Sequence, residues 1–395
     1  MYVLLNPYNL DMNDRRKFLK ASGVLGLGVL SGLSAACTSP KFSQKFIDRN
    51  LLASDKFRKF PRLTISPDLV VKETVGLRPF RKNGFRLEKE MLGNKTIIHN
   101  YGHGGSGWSL SWGTGNMAAT LAEQTGEKKF AVMGCGVVGL TTARLLQMRG
   151  FDVTIYTKDL PPQVTSSKAT GTWSPSYRLI EDEFLTTEFK ERWKQATLFS
   201  FRTYQNLLGL GDIVTWIDNY VISNGQHQVA PGHSHELEIP GLLPEDKSLS
   251  PKEHPFNAAQ VNRQPTLVFN IPSYLTKHMN DFLAFGGSIR IQAFNSLEEI
   301  DALPEKCVLN CTGLGSYSLF NDKNLTPVAG QLSFLIPQPD FNYRITTPEA
   351  YAIPRKDGIV LGGNALVGSW DETPSSEQTD KVVHALMNVM SKFRV

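Results

Sequence analysis

The sequence predicts an α/β fold of two domains, and three observations carry that prediction. The chain has 395 residues, more than one hydrophobic core usually serves. The run KKFAVMGCGVVGLTTARLLQMRGFDVTIYTKD reads as strand, glycine turn, helix and strand, a βαβ unit of Rossmann type. Further apolar runs, some with strand character and some with helical spacing, follow it to Val395, enough for a second domain.

Residues 1–36 read as a signal peptide. DRRKFLK precedes the apolar ASGVLGLGVLSGLSAAC, a basic region followed by a short apolar one. Arg15 and Arg16 with Phe18 and Leu19 resemble a twin-arginine export signal, which implies a periplasmic location or the outer face of a membrane. Cys37 is a candidate lipid anchor, although Ser34 stands where lipoproteins prefer a branched apolar residue. Plain cleavage after Ala36 fits equally, and both stay open. Residues 37–65 are polar and mixed and read as a linker. The formal net charge is +5, of which +2 falls in residues 1–36, and no basic run follows, so nucleic-acid binding gets no support. Cys135, Cys307 and Cys311 sit in apolar, strand-like text. Their spacing makes neither a disulfide framework nor a metal site, and no metal is expected.

Within the βαβ unit, Phe130 to Met133 and Val153 to Tyr156 are the strands and Thr141 to Met148 has helical character. Thr187 to Leu208 shows helical spacing and Val214 to Ser223 strand character. Residues 224–262, rich in Pro, His, Gly and charge, read as irregular surface. NIPSYLTKHMNDFLAFGG predicts a helix closed by Gly286 and Gly287. CVLNCTG reads as a strand ending in a glycine turn, and AYAIPRKDGIVLGG as a hairpin.

Gly134, Gly136 and Gly139 match G-x-G-x-x-G after a strand and at the start of a helix. The first permits the turn, the second lets a pyrophosphate approach the backbone, and the third lets helix and strand pack closely. The N–H groups at the helix start, around Val137 and Val138, then face the phosphates. The acid that usually binds ribose belongs about 20 residues on. Asp159 stands there, one place after Lys158, so a simple NAD site is disfavoured.

A second glycine-rich run, HNYGHGGSGWSLSWGTG, precedes this loop. With TSSKATGTWSPS, LNCTGLG, GQLSF, YAIPRKDGIVLGG and GLRPFRKNGFRLE, it resembles the D-amino-acid oxidase family of FAD enzymes over most of residues 70–395. In that family GLRP and HNYGHGG come last; here they come first. The order implies a circularly permuted D-amino-acid oxidase fold, a Rossmann-like FAD-binding domain plus a mixed-sheet substrate-binding domain, with NMAATLAEQTGEKK as the new junction and both glycine loops facing one FAD. The implied parts are an FAD-binding part with the carboxylate-binding Arg segment over 66–175, a substrate-binding part over 176–275, an FAD-binding part over 276–325, and a substrate-binding part returning to the FAD site over 326–395.

The resemblance also implies roles. Arg78 would grip the substrate carboxylate with its guanidinium fork, Tyr351 would hydrogen-bond the same carboxylate, and the Gly105 carbonyl would take the amine. Gly104, Gly105, Ser106, Gly107, Trp108 and Ser109 would line the flavin. Thr165, Ser166, Ser167 and Gly171 would hold its phosphates or ribityl chain, beside Gly134, Gly136, Val137, Val138 and Gly139. His103 would be structural. The implied reaction is hydride transfer from Cα to flavin N5, giving a 2-oxo acid, ammonia and, with dioxygen, hydrogen peroxide. The segment between Gly330 and Tyr351 is shorter than in vertebrate members and lacks their lid tyrosine. Thr347 stands at its offset and nothing supports Tyr343 as a substitute from elsewhere, so no residue is assigned to the second tyrosine's place, and a more open mouth is expected. The rival readings are a glycine or sarcosine oxidase, a dehydrogenase feeding a membrane acceptor, and an exported flavin-binding protein without turnover.

Overall fold

The structure, a computed structural model, describes residues 60–223 and 236–394. The readings placed on residues 1–59, including Arg15, Arg16 and Cys37, lie outside these residues. Among them the chain runs β1 (Val70–Arg81), β2 (Arg86–Leu92), β3 (Lys95–Tyr101), α1 (Gly107–Glu123), β4 (Lys129–Met133), α2 (Val137–Met148), β5 (Asp152–Thr157), α3 (Thr187–Leu207), β6 (Val214–Ser223), β7 (Lys247–Leu249), β8 (Gln260–Phe269), α4 (Ile271–Ala284), β9 (Ser288–Ile291), α5 (Leu297–Asp301), β10 (Cys307–Asn310), α6 (Ser316–Leu319), β11 (Leu325–Leu335), β12 (Arg344–Thr346), β13 (Tyr351–Arg355), β14 (Gly358–Gly362), β15 (Leu366–Val367) and α7 (Ser376–Ser391).

Two sheets result. The six-stranded one has the order β2-β3-β10-β4-β5-β9. Its strands are parallel except for the antiparallel β2 on the edge. Its strands β4 and β10 are mainly apolar because both faces are covered: Phe130, Ala131, Val132 and Met133 are all buried, as are Cys307, Val308 and Leu309. The nine-stranded mixed sheet has the order β1-β11-β14-β13-β12-β6-β8-β7, with β15 also on β11.

The helix after HNYGHGG explains why its text is so rich in small residues. A β-carbon at Gly113 would overlap the Ala196 backbone of α3, and one at Gly115 would lie 3.4 Å from Thr142 Cα of α2. Helix α1 thus packs at backbone distance on both neighbours, with Ala118, Ala119 and Ala122 fully buried.

Three expectations change. The close of the expected linker is core: Phe60 and Leu63 are buried with Phe256, Tyr343 and Met390, because two large apolar side chains outweigh the polar residues between them. The stretch 224–262 is not wholly irregular, since β7 and the start of β8 fall in it. Finally, β1, which carries Arg78, does not belong to the sheet that carries Gly134. It pairs antiparallel with β11, Gly76 opposite Gly330, while β3 enters the other sheet beside β10. Arg81 Nε and Tyr101 Oη both donate to Asp322 Oδ2, each at 2.8 Å, and so pin the end of β1 to the end of β3.

Candidate active site

The start of α2 is built by its glycines. Gly134 has φ +104°, and a β-carbon there would lie 2.7 Å from the Cys311 carbonyl; one at Gly139 would overlap the Gly134 carbonyl. Gly136, at the N-cap, supplies no capping side chain. Its own β-carbon would lie 2.9 Å from Ser166 Oγ, and the Val137 N–H donates to that hydroxyl at 2.9 Å. The Thr165–Lys168 turn therefore lies directly over the helix start. Trp108 Nε1 donates to the Ser166 carbonyl at 3.0 Å, so the first turn of α1 meets the same point. Ser167 Oγ is sealed from solvent with no hydrogen-bond partner.

These features fit an FAD pyrophosphate. Helix N–H groups converge under a hydroxyl-bearing loop, no β-carbon stands at Gly136, and a buried hydroxyl lacks a partner. The sequence-named residues do not all serve alike. The Ser106 hydroxyl donates to the Tyr177 carbonyl at 3.0 Å, and Ser109 Oγ accepts the Ser174 N–H at 2.7 Å, so both brace the loop over 174–177. The Trp108 ring packs on Phe269 and Tyr274 in the core. Gly171, at φ +82°, lets the loop pass 2.9 Å from the Phe269 carbonyl, measured from the β-carbon it lacks. Gly107 opens α1, with His103 Cβ at 3.7 Å from where its own β-carbon would stand.

His103 is a framework residue. It is buried, stacks on Phe85, and its Nε2 is 3.0 Å from Thr114 Oγ1. Burial pulls its pKa down to about 3, so it stays neutral. The turn after it is clamped on both sides. The Gly104 N–H donates to the Pro79 carbonyl at 2.8 Å and the Gly105 N–H to the Tyr177 carbonyl at 3.1 Å. A β-carbon at Gly104 would overlap the Arg178 carbonyl, and one at Gly105 the Tyr177 ring. Gly104 thus stands beside Pro79, the neighbour of Arg78, and Gly105 beside Tyr177.

The register of the large sheet supplies the rest. Directly opposed residues share a face, and so do alternate residues along a strand. Arg78 opposes Val328, Leu332 opposes Gly362, Gly362 opposes Tyr351, and Tyr351 opposes Thr346. Arg78, Gly330, Gly362, Tyr351 and Arg344 therefore lie on one face. Glycine is needed twice here: a β-carbon at Gly330 would overlap the Arg78 guanidinium, and one at Gly362 the Tyr351 hydroxyl. The Arg78 and Tyr351 side chains lie over bare backbone. Thr170 Oγ1 is 3.2 Å from Tyr351 Oη, which joins this face to the loop over α2. Arg355 holds that loop, donating from Nη1 to the Ala169 carbonyl at 2.8 Å. Arg78 Nη1 is buried without a hydrogen-bond partner, and its Cζ is 6.0 Å from the Tyr177 ring centre.

Two expectations about the missing lid tyrosine are settled by packing. Tyr343 is no substitute: its hydroxyl donates to the Pro61 carbonyl at 2.8 Å inside the core. Thr347 ties its own turn, accepting the Ala350 N–H at 3.0 Å. Sequence reasoning missed Tyr177 and Arg344. Arg344 could have been found from alternation alone, since the short hairpin returning to Tyr351 fixes its face.

Residues 129–394 match the FAD dependent oxidoreductase family (DAO). A D-amino acid oxidase from Dugesia ryukyuensis is 26% identical over 66% of this chain and 77% of that protein. A D-amino-acid oxidase from Streptomyces coelicolor is 30% identical over 66% of this chain and 77% of its own length. Among solved structures, a glycine oxidase from Bacillus cereus aligns with a TM-score of 0.46 at 17% identity, covering 67% of this chain and 78% of that one.

Proposed function

The chain belongs to the FAD dependent oxidoreductase family, and on that premise we propose that it converts D-amino acids to 2-oxo acids, ammonia and hydrogen peroxide. FAD is its cofactor, and when bound it supplies the acceptor for the hydride that leaves Cα. The protein's part is to bind and orient. Arg78 takes the α-carboxylate through two parallel N–H groups, the Tyr351 hydroxyl donates to the same carboxylate, and the Gly105 carbonyl accepts from the amine. Three fixed points select one hand of Cα. The imine that results hydrolyses in water to the 2-oxo acid and ammonia, and the electrons pass on to dioxygen.

One observation carries this reading: Arg78 and Tyr351 lie over two glycines on one sheet face, and the Arg78 guanidinium is 6.0 Å from the ring of Tyr177, which packs on Gly105. The test is direct. The purified chain should be yellow and should form peroxide from D- but not L-amino acids. Turnover of L-enantiomers, or of glycine alone, overturns it.

We also read the chain as a circular permutant of the family order. The family match begins at residue 129, whereas Arg78 and the HNYGHGG run precede it. Strand β3 nevertheless sits between β2 and β10, and Arg62 Nη2 donates to the Met390 carbonyl at 2.9 Å, which brings the segment before β1 against the last helix. A chain in which residues 60–128 follow residue 394 through a short linker should fold and bind FAD; failure to do so counts against permutation. Export by the twin-arginine route rests on Arg15 and Arg16 alone. Replacing both by Lys should leave the protein in the cytoplasm, and unchanged fractionation refutes it. Labelling with a radioactive fatty acid decides between lipidation of Cys37 and plain cleavage.

A further inference from the structure

Resting on the reading of the site as one for D-amino acids, we propose that the preferred substrates carry a second carboxylate, in the side chain, and that Arg344 binds it. Arg344 and Arg78 stand at the two ends of one face, on β12 and β1. Four inter-strand steps across the sheet and six residues along it separate their backbones, since Arg344 is level with Phe334 and Arg78 with Val328, roughly 28 Å on a flat sheet at about 4.8 Å per step and 3.3 Å per residue. Both side chains lean inward. Arg78 lies over Gly330 on the next strand, and Arg344 Cζ lies 5.3 Å from the ring centre of Tyr351, also on the next strand. Two tyrosine rings stand against the two guanidinium groups, Tyr351 at Arg344 and Tyr177 6.0 Å from Arg78 Cζ.

Neither arginine has an anionic partner in the protein. Among the described residues neither makes an ion pair, and Arg344 Nε, like Arg78 Nη1, is sealed from solvent with no acceptor. The carboxylate next along the facing strand is unavailable: Asp218 alternates to the other face, since Asn219 is the residue opposite Arg344, and it lies 3.8 Å from Arg263. Burial disfavours the Arg344 charge, yet a guanidinium does not deprotonate in proteins. A cation held in this way calls for an anion from outside. The α-carboxylate accounts for Arg78. A second carboxylate, one or two methylenes beyond Cα, accounts for Arg344. A neutral side chain there would leave the guanidinium buried and unpaired, and a site built for a polar partner rejects analogues that lack it.

The test uses the holoenzyme and isosteric pairs, D-aspartate against D-asparagine and D-glutamate against D-glutamine, with kcat/KM as the readout. The acidic member of one pair should be favoured by a factor on the order of a hundred. Arg344→Gln should collapse that ratio toward one, and Arg344→Lys should restore part of it; flavin content reports that both variants fold. A merely structural Arg344 would lower both members alike and leave the ratio unchanged. Binding is read apart from turnover by titrating malonate, succinate and propionate while following the flavin absorbance. The dicarboxylates should bind the parent more tightly than propionate, and Arg344→Gln should lose that difference. D-asparagine oxidised as well as D-aspartate, or propionate bound as tightly as malonate, overturns the proposal while leaving D-amino-acid oxidation standing. Peroxide formation from no D-amino acid overturns that broader reading, and the dicarboxylate titration still decides the role of Arg344.

Discussion

The Arg78 guanidinium occupies the space that a side chain at Gly330 would fill. An arginine on one strand thus depends on the absence of a β-carbon on the next. Gly330→Ala should displace Arg78 without disturbing the antiparallel ladder. The apparent KM for amino acid should rise by a factor on the order of ten or more, since a 1 Å misplacement of a positioning group can cost about a hundredfold. Flavin content should stay that of the parent. Steady-state kinetics check this, and an unchanged KM would separate Arg78 from the substrate.

Arg78→Ala removes the residue proposed as partner of a partly desolvated substrate carboxylate. Breaking such a pair costs about 3–5 kcal/mol, or on the order of a hundred- to a few-thousand-fold in kcat/KM. Arg78→Lys should recover only part, because an ammonium lacks the planar fork. Activity in Arg78→Ala equal to the parent would show that another group orients the substrate.

Gly136→Val places a branched side chain between the start of α2 and Ser166, whose hydroxyl lies 2.9 Å from the new β-carbon. The site for the pyrophosphate closes. The protein should purify without bound flavin and should not take up FAD when it is supplied in excess, while circular dichroism shows an unchanged secondary structure. A yellow Gly136→Val protein would place the dinucleotide elsewhere.

Acid should weaken the fold in a definite window. His103 and His278 are buried, and burial lowers their pKa values to about 3 and about 4. An exposed histidine in the unfolded chain titrates near 6.5. Because the folded values lie below the unfolded one, the unfolded chain binds more protons between them. Stability is therefore full above about pH 6.5 and is lost as pH falls toward 4, by up to about 1.4 kcal/mol per pH unit for each histidine. Thermal unfolding followed from pH 7 to 4.5 should show Tm falling, and His103→Gln should fall less steeply. Equal slopes in the two proteins would exclude His103 from the effect.

The sequence made the βαβ unit legible because its signal is local. Gly134, Gly136 and Gly139 sit within six residues, and apolar strands flank them. Arg78, Tyr351 and Gly105 were legible only through resemblance, since a guanidinium and a phenol carry no local mark of their task. Arg344 and Tyr177 were missed for another reason. Each becomes part of the site through register between strands and a loop far apart in the chain. Phe60 and Leu63 were misread because the polar text around them hides two core residues. Trp108 was placed with the cofactor, yet its ring fills the space beside Phe269 and Tyr274, which no reading of its own neighbours in the chain reveals.

The pairing of Arg78 with Val328 sets a timetable for synthesis. The ribosome makes β1 early, but the strand that receives it emerges about 250 residues later. At about 5–20 residues per second, β1 waits roughly 12 to 50 s with neither edge in a ladder, since β11 is its only strand partner among the described residues. Its Lys72, Glu73, Arg78 and Arg81 suit that wait, because charges along an unpaired edge discourage wrong partners. A nascent chain that has released only the glycine loops holds half of a pocket. The Arg78 end of that pocket is complete only once β11, with Val328 and Gly330, has emerged.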